Sequence, residues 1–377
     1  MAIESYPGLY ARIKLSNPKY SVSKDDNALR IGILGAANIV PNALINPAKS
    51  MRSINVVTVA ARDESRAKEF ALKHGIPNTH PSYDAVINDP NIDCIYNPLP
   101  NGLHYEWSKK ALEAGKHVLL EKPATSNAEQ TKALFALAKE KKLILLEAFH
   151  FRFHPAATFF RQTLQNHIAS GHPLQRVESV MSFPDMLPLT DIRFNYSLGG
   201  GIMMDCGCYA INSIRYFTGL EVASVEEAIP KIFAENIDGR MDVVLNLKRK
   251  DDTIVKANVI ASLTNPWFSP QTYREMIPTF TAETDDKIFT FAIFPMPTFY
   301  HYFTIKDKAT GKTENLPKMY AEGYTTYRYQ LEAFVQAVKS GGEDTASIPG
   351  WVTGEDSLLN MTAIDAVYKK AGMKLRQ

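Results

Sequence analysis

Three cysteines in 377 residues, Cys94, Cys206 and Cys208, are too few and too apolar in context to build a disulfide framework. Cys206 and Cys208 flank Gly207 with no further ligands nearby, so they read as buried packing, and no metal is expected. Neither sign of charge is in excess. Lys and Arg number 42 against 40 Asp and Glu, a net +2 that offers no electrostatic case for nucleic acid. No run approaches the ~20 apolar residues that span a bilayer, so no membrane partner is expected. The first 30 residues are polar and lack the apolar segment of a secretory signal, which makes a cytoplasmic location the expectation. Internal repeats and low-complexity segments are also missing.

The composition that remains is ordinary for a globular protein, 45% hydrophobic and 22% charged. At 377 residues the chain exceeds one ordinary core, so two domains are expected, at a size that suits an enzyme.

Residues 1–28 show no clear periodicity and read as an arm packed on a surface. The run Leu29-Arg30-Ile31-Gly32-Ile33-Leu34 then reads as a strand, followed by the glycine turn Gly35-Ala36-Ala37-Asn38-Ile39. A dinucleotide fingerprint spaces glycines as G-x-G-x-x-G so that backbone N–H groups approach a pyrophosphate. Here Gly35, Ala37 and Val40 hold those positions, a degenerate match that a plain strand-to-helix turn would also satisfy. Residues 54–61 read as the second strand, and Asp63 as the cap of a helix reaching His74. Where NAD-binding versions carry an acidic residue, this chain has Arg62, with Arg66 one helical turn on. Two guanidinium groups there suit an adenosine 2′-phosphate, and therefore NADP.

The alternation continues through a short helix at 83–88, a strand at 92–97, the loop Pro98-Leu99-Pro100-Asn101-Gly102, and a helix at 104–114 closed by Gly115. The apolar run His117 to Leu120 goes straight into Glu121-Lys122-Pro123. Ligands of open α/β sheets sit just beyond the carboxyl ends of such strands, which places this charged pair at a candidate site. Pro123 bends the chain there, through an expected cis Lys122–Pro123 bond. Ser126 with Glu129 forms a capping box for a helix to Lys142, and 143–146 is the last strand. Residues 29–155 are thus expected to form a doubly wound parallel sheet of Rossmann type.

The pattern then changes. After a helix at 157–167, runs at 177–183, 222–233, 241–247, 253–263, 279–283, 287–294 and 299–305 alternate apolar and polar residues, with one helix at 204–217. Residues 156–377 are expected to be an α+β domain for substrate binding and dimerisation, built on a large, mostly antiparallel, open-faced sheet. Its last helices, near 326–339 and 356–371, could return to the first domain. The uncovered face makes a homodimer the expectation.

Five segments, in this order and spacing, resemble the Gfo/Idh/MocA family of NAD(P)-dependent oxidoreductases from about Leu29 onward. They are Gly32 to Ile39, Asn97-Pro-Leu-Pro-Asn101 with His104, Gly115 to Pro123, Glu147 to Pro155, and Gly199-Gly-Gly-Ile-Met-Met-Asp205-Cys-Gly-Cys-Tyr209. The chain looks most like the branch holding NADP-dependent D-xylose (aldose) 1-dehydrogenases and dimeric dihydrodiol dehydrogenases. The resemblance implies that Gly35, Ala36, Ala37, Asn38 and Ile39 line the pyrophosphate and that Arg62 and Arg66 hold the 2′-phosphate. It also implies that Pro98, Leu99, Asn101 and His104 border the cofactor and that Glu121 and Lys122 lie beside the nicotinamide. Asp205 and Tyr209 would face the substrate. The alanine and valine in the fingerprint depart from the family pattern and leave the pyrophosphate contact looser.

The residue chemistry agrees with that implication. Asp205 and Tyr209 are spaced i, i+4, on one helical face after three glycines. Tyrosine is a poor base at its ordinary pKa of ~10, and a lysine ammonium beside it stabilises the phenolate. The expected mechanism has Tyr209 exchange the proton of the reacting hydroxyl, with Lys122 and Asp205 assisting. Many relatives place histidine at the Tyr209 position and act on cyclitols, so tyrosine points to the aldose and dihydrodiol branch. Arg152, His154 and Asn212 are further substrate candidates, with a capped helix start the alternative for His154. Trp267 and Phe268 could wall a sugar ring or pack a loop; Tyr324, Tyr327 and Tyr329 fall in a segment the pattern does not place.

The expected activity is NADP-dependent oxidation of a cyclic aldose, D-xylose or D-glucose, at C1 to the lactone. Trans-dihydrodiol oxidation, sugar–sugar oxidoreduction with retained NADP, and an NADP-sensing regulator are the alternatives.

Overall fold

Short, near-continuous apolar runs in the first third of the chain build a sheet buried on both faces. In a computed structural model, residues 7–185, 187–343 and 345–377 are described. Strands β1 (Leu29–Leu34), β2 (Ile54–Ala60), β3 (Asn78–Thr79), β4 (Cys94–Asn97), β5 (His117–Leu120) and β6 (Leu145–Glu147) pair in the order β3-β2-β1-β4-β5-β6. Every pairing is parallel. The order reverses direction between β1 and β4, and ligands of this fold bind beyond the strand ends at that switch. The core between sheet and helices holds Leu34, Val86, Ile95, Leu112, Val118 and Leu134.

The second sheet follows the order β14-β13-β12-β11-β7-β10-β9-β8. Its strands are β7 (Leu174–Pro184), β8 (Glu221–Ala234), β9 (Ile237–Lys248), β10 (Ile254–Asn265), β11 (Thr279–Thr284), β12 (Lys287–Ala292), β13 (Tyr302–Asp307) and β14 (Thr313–Asn315). Only β7 with β10 is parallel. Helices Pro155–Ala169 and Cys208–Thr218 are joined to it by an aromatic core in which Phe160 lies 5.2 Å from Phe217 and from Phe291. On the strands of the uncovered side Ile229, Ile232 and Ile254 stay exposed. The sequence expectation of a parallel Rossmann sheet plus a mostly antiparallel sheet holds.

The chain divides into two compact units. One takes the chain up to Thr125, Glu129–His154 and Tyr320–Gly354; the other takes Ser126–Ala128, Pro155–Met319 and Glu355–Gln377. The helix Thr326–Lys339 thus belongs with the first unit rather than with the rest of 156–377, and His150 Nδ1 lies 2.9 Å from Thr326 Oγ1. The N-terminal arm carries a helix, Leu9–Ser16, tied to the first unit by the Arg12 guanidinium over the Tyr320 ring at 3.6 Å.

Two local expectations change. The helix expected from Ser126 starts at Ala128, whose N–H donates to Asp365 Oδ2 at 2.9 Å, so a carboxylate distant in sequence caps it. The strand expected at 299–305 begins at Tyr302, because turns occupy the residues before it. Among the described residues no helix is long and apolar enough to cross a membrane.

Candidate functional site

In the first unit, β1 ends in Gly35 at φ +97°, with its N–H donating to Ala60 O at 2.7 Å. That φ is one L side chains rarely adopt, and a Cβ there would also crowd Leu99 Cδ2 at 3.0 Å, so the turn favours glycine. Ala36 is buried, Ala37 and Ile39 are half-buried, and Asn38 is exposed. Asp63 caps the helix Glu64–His74 by accepting from Ser65 N and Arg66 N, as its sequence position predicts. Arg66 reaches back from that helix, donating from Nη2 to Ala36 O at 3.1 Å, while Arg62 stands exposed at the end of β2. An absent side chain at the turn and two guanidinium groups beside it fit the pyrophosphate and 2′-phosphate of NADP.

The loop after β4 is held from inside. Pro98 and Leu99 are buried, and Asn101 opens a 3₁₀ turn, Asn101–Leu103. His104 is fully buried, with Nδ1 2.8 Å from Pro123 O and Nε2 2.7 Å from Leu99 O. Burial pushes its pKa down to about 4, against the pull of those two carbonyls. The neutral ring, with one N–H, hydrogen-bonds one of these carbonyls and packs against the other, between the β4 loop and the segment after β5.

That segment, Glu121-Lys122-Pro123-Ala124, is pinned at each end. Glu121 accepts a buried hydrogen bond from Tyr96 Oη at 2.7 Å, and Ala124 N–H donates to Glu147 Oε1 at 2.7 Å. The Lys122–Pro123 bond is cis. Lys122 shares its surroundings with two residues that sequence reasoning did not assign. His150, its ring 4.0 Å from that of Tyr327, is pushed down to about 3 by burial and by the Lys122 charge. Burial and the Glu121 charge raise the Tyr327 phenol. Arg152 is buried and donates to Trp351 O at 2.8 Å; His154 is buried and its ring stands edge-on to Tyr329 at 5.5 Å.

In the second unit, Gly199, Gly200 and Gly201 lead into Asp205. A Cβ on Gly201, at φ +121°, would lie 2.3 Å from Asp238 Oδ1 and 2.5 Å from Arg376 Nη2. Those two side chains, both fully buried, form an ion pair at 2.8 Å. Arg376 Nε donates to Gly200 O at 2.6 Å, and Asp238 Oδ2 accepts from Met203 N at 2.9 Å. A buried pair thus fixes the glycine backbone and the start of the following helix. That start, Met203–Gly207, is a π-helical turn rather than a regular one, and Met203 Sδ fills the space a side chain on Gly207 would need.

Asp205 therefore sits on a widened turn, and Tyr209, nearly buried, follows on the helix Cys208–Thr218. Arg193 Nε donates to Asp205 Oδ2 at 2.7 Å, a partner missed in the sequence, and the carboxylate raises the guanidinium pKa. Asn212 lies three residues beyond Tyr209, fully buried, with neither amide atom hydrogen-bonded. A buried amide without partners signals a ligand or water that completes it. Trp267 donates to Asp185 O at 2.8 Å, and Phe268 is exposed. All three cysteines are buried.

Comparison with known proteins gives the class. Residues 29–149 match the family described as Gfo/Idh/MocA oxidoreductases with an NAD-binding Rossmann fold, and residues 162–281 match the Gfo/Idh/MocA C-terminal domain. The chain belongs to the Gfo/Idh/MocA oxidoreductase family. It is 32% identical to the D-xylose 1-dehydrogenase (NADP(+)) 2 of Haloferax volcanii, over 91% of this chain and 97% of that one. It is also 32% identical to a trans-1,2-dihydrobenzene-1,2-diol dehydrogenase of Xenopus tropicalis, over 56% of this chain and 62% of that one. Among solved structures, the 3-ketoreductase KijD10 of Actinomadura kijaniata, in complex with NADP and TDP-benzene, superposes with a TM-score of 0.75 at 26% identity, covering 91% and 98% of the two chains.

Proposed function

We propose that this oxidoreductase oxidises a cyclic aldose, D-xylose or D-glucose, at C1 to the lactone. Its cofactor is NADP, which when bound accepts the hydride from C1. Tyr209 Oη takes the proton of the C1 hydroxyl, and the Lys122 ammonium stabilises the charge developing on that oxygen. Asp205, paired with Arg193, orients this end of the site, and Asn212 receives a sugar hydroxyl. In reduction Tyr209 returns the proton.

The observation that carries the reading is Tyr209, one turn after an ion-paired Asp205 and three residues before an Asn212 amide without partners. Similarity to the xylose dehydrogenase along nearly its whole length supports the substrate class. Trans-dihydrodiol oxidation is the second reading, favoured by the dihydrodiol dehydrogenase relative and served by the same three residues. The exposed isoleucines on the uncovered face of the second sheet support a homodimer through that face. Three cysteines buried as thiols suit work in a reducing cytoplasm.

The test is reduction of NADP⁺, and separately of NAD⁺, across pentoses, hexoses and aromatic trans-diols. Turnover of a pentose or hexose with NADP⁺ preferred is expected. Turnover confined to diols selects the second reading, and preference for NAD⁺ contradicts the role given to Arg62 and Arg66.

A further inference from the structure

The end of the helix Pro155–Ala169 and the hairpin joining β11 to β12 bring three metal-ligating side chains together. None of them belongs to the site described above. His167 lies in the last turn of the helix. Gly171, at φ +103°, reverses the chain so that the His172 ring stacks on His167 with centroids 4.4 Å apart and planes 3° from parallel. From the hairpin, Asp286 Oδ1 stands 2.8 Å from His167 Nε2 and 3.3 Å from His172 Nδ1. All three ligating atoms lie within 4.8 Å of one another.

We propose that His167, His172 and Asp286 bind a divalent transition-metal ion of the zinc class, which ties the helix end to the hairpin.

Two imidazole nitrogens and one carboxylate oxygen are the donor set such ions select, with water completing the coordination. The carbonyls that end the helix add partial negative charge on the same side. Thr284 Oγ1 donates to Asp286 Oδ1 at 2.9 Å, and Asp285 Oδ1, 3.0 Å from His172 Nδ1, supplies a second carboxylate. The neighbouring cation, Lys308, is paired with Glu283 at 2.8 Å and donates to Thr284 O at 3.1 Å.

Sharing one ion requires the parallel rings to open. His172 follows Gly171 outside the helix with its side chain 38% exposed, against 14% for His167, so His172 is the ring that would turn. The sequence hid this arrangement, because the carboxylate lies 119 residues from His167.

The experiment titrates untagged, chelator-treated full-length protein with Zn²⁺ alone by calorimetry, and with Co²⁺ alone by visible absorption. One ion per chain is expected, together with a rise in Tm on adding Zn²⁺. His172→Ala, a change in an exposed turn, and Asp286→Asn each weaken Zn²⁺ binding by on the order of tenfold or more and abolish the Co²⁺ bands. Failure of the unaltered protein to bind Zn²⁺, or undiminished binding by both variants, overturns the proposal.

Discussion

Arg193 Nε and Asp205 Oδ2 lie 2.7 Å apart, joining the turn Ile192–Phe194 to the π-helical turn that precedes Tyr209. Asp205 is thereby a charge held in one orientation by a guanidinium from a loop. Its role in the proposed reaction is to set the geometry of the turn carrying Tyr209. Removing Arg193 should loosen that geometry. Arg193→Ala is expected to lower kcat/KM for the sugar by about a hundredfold. Arg193→Lys should recover part of the loss, with NADPH affinity unchanged in both by fluorescence titration. Equal kcat/KM in all three proteins would remove the pair from the account.

The cofactor preference rests on Arg62, just after β2, and Arg66, on the helix that follows, both exposed. Arg62→Ala and Arg66→Ala should each raise the KM for NADP⁺ by about tenfold while leaving that for NAD⁺ unchanged. A parallel rise for both dinucleotides would place the arginines elsewhere on the cofactor.

His150 gives the protein a signature in acid. Its folded pKa is depressed to about 3, below the ordinary histidine value of 6.5. Between those two values the unfolded chain holds the extra proton. The contribution of His150 is therefore complete above the higher value and is lost as pH falls through the window. His150→Gln should reduce the slope of unfolding free energy between pH 4 and 5.5 by about 1.4 kcal/mol per pH unit, measured by urea denaturation. An unchanged slope would mean that the ring titrates normally in the fold.

Arg376 and Asp238 are buried without exposure on either side chain, directly behind Gly200 and Gly201. Arg376→Ala leaves the Asp238 carboxylate buried without its guanidinium and should cost about 3–5 kcal/mol in urea unfolding. A loss under 1 kcal/mol, the size of a surface pair, would contradict that placement.

Much of this was legible where the signal is local. The strand and turn from Leu29 to Ile39, the Asp63 cap and the charged pair after β5 follow from apolar runs, capping chemistry and the habits of parallel sheets. Partners that meet across long separations were not. Arg193 lies in a polar loop whose spacing to Asp205 has no helical or strand period. Tyr327 reaches the surroundings of Lys122 because the helix Thr326–Lys339 joins the first unit, a return the sequence allowed without showing which side chains it brings. Asp365, 237 residues away, accepts from the first N–H of the helix Ala128–Lys141, a contact no local pattern announces. The π-helical turn at Asp205, with Met203 packed over Gly207, is announced by no periodicity in the sequence.

The central claim is that Tyr209 exchanges the proton of the reacting hydroxyl. Turnover of the best sugar with NADP⁺ by Tyr209→Phe, alongside NADPH binding by the same variant, tests it most directly. A fall in kcat of about 10²–10⁴-fold is expected, with the dissociation constant for NADPH unchanged. Turnover by Tyr209→Phe at the rate of the unaltered enzyme would contradict it.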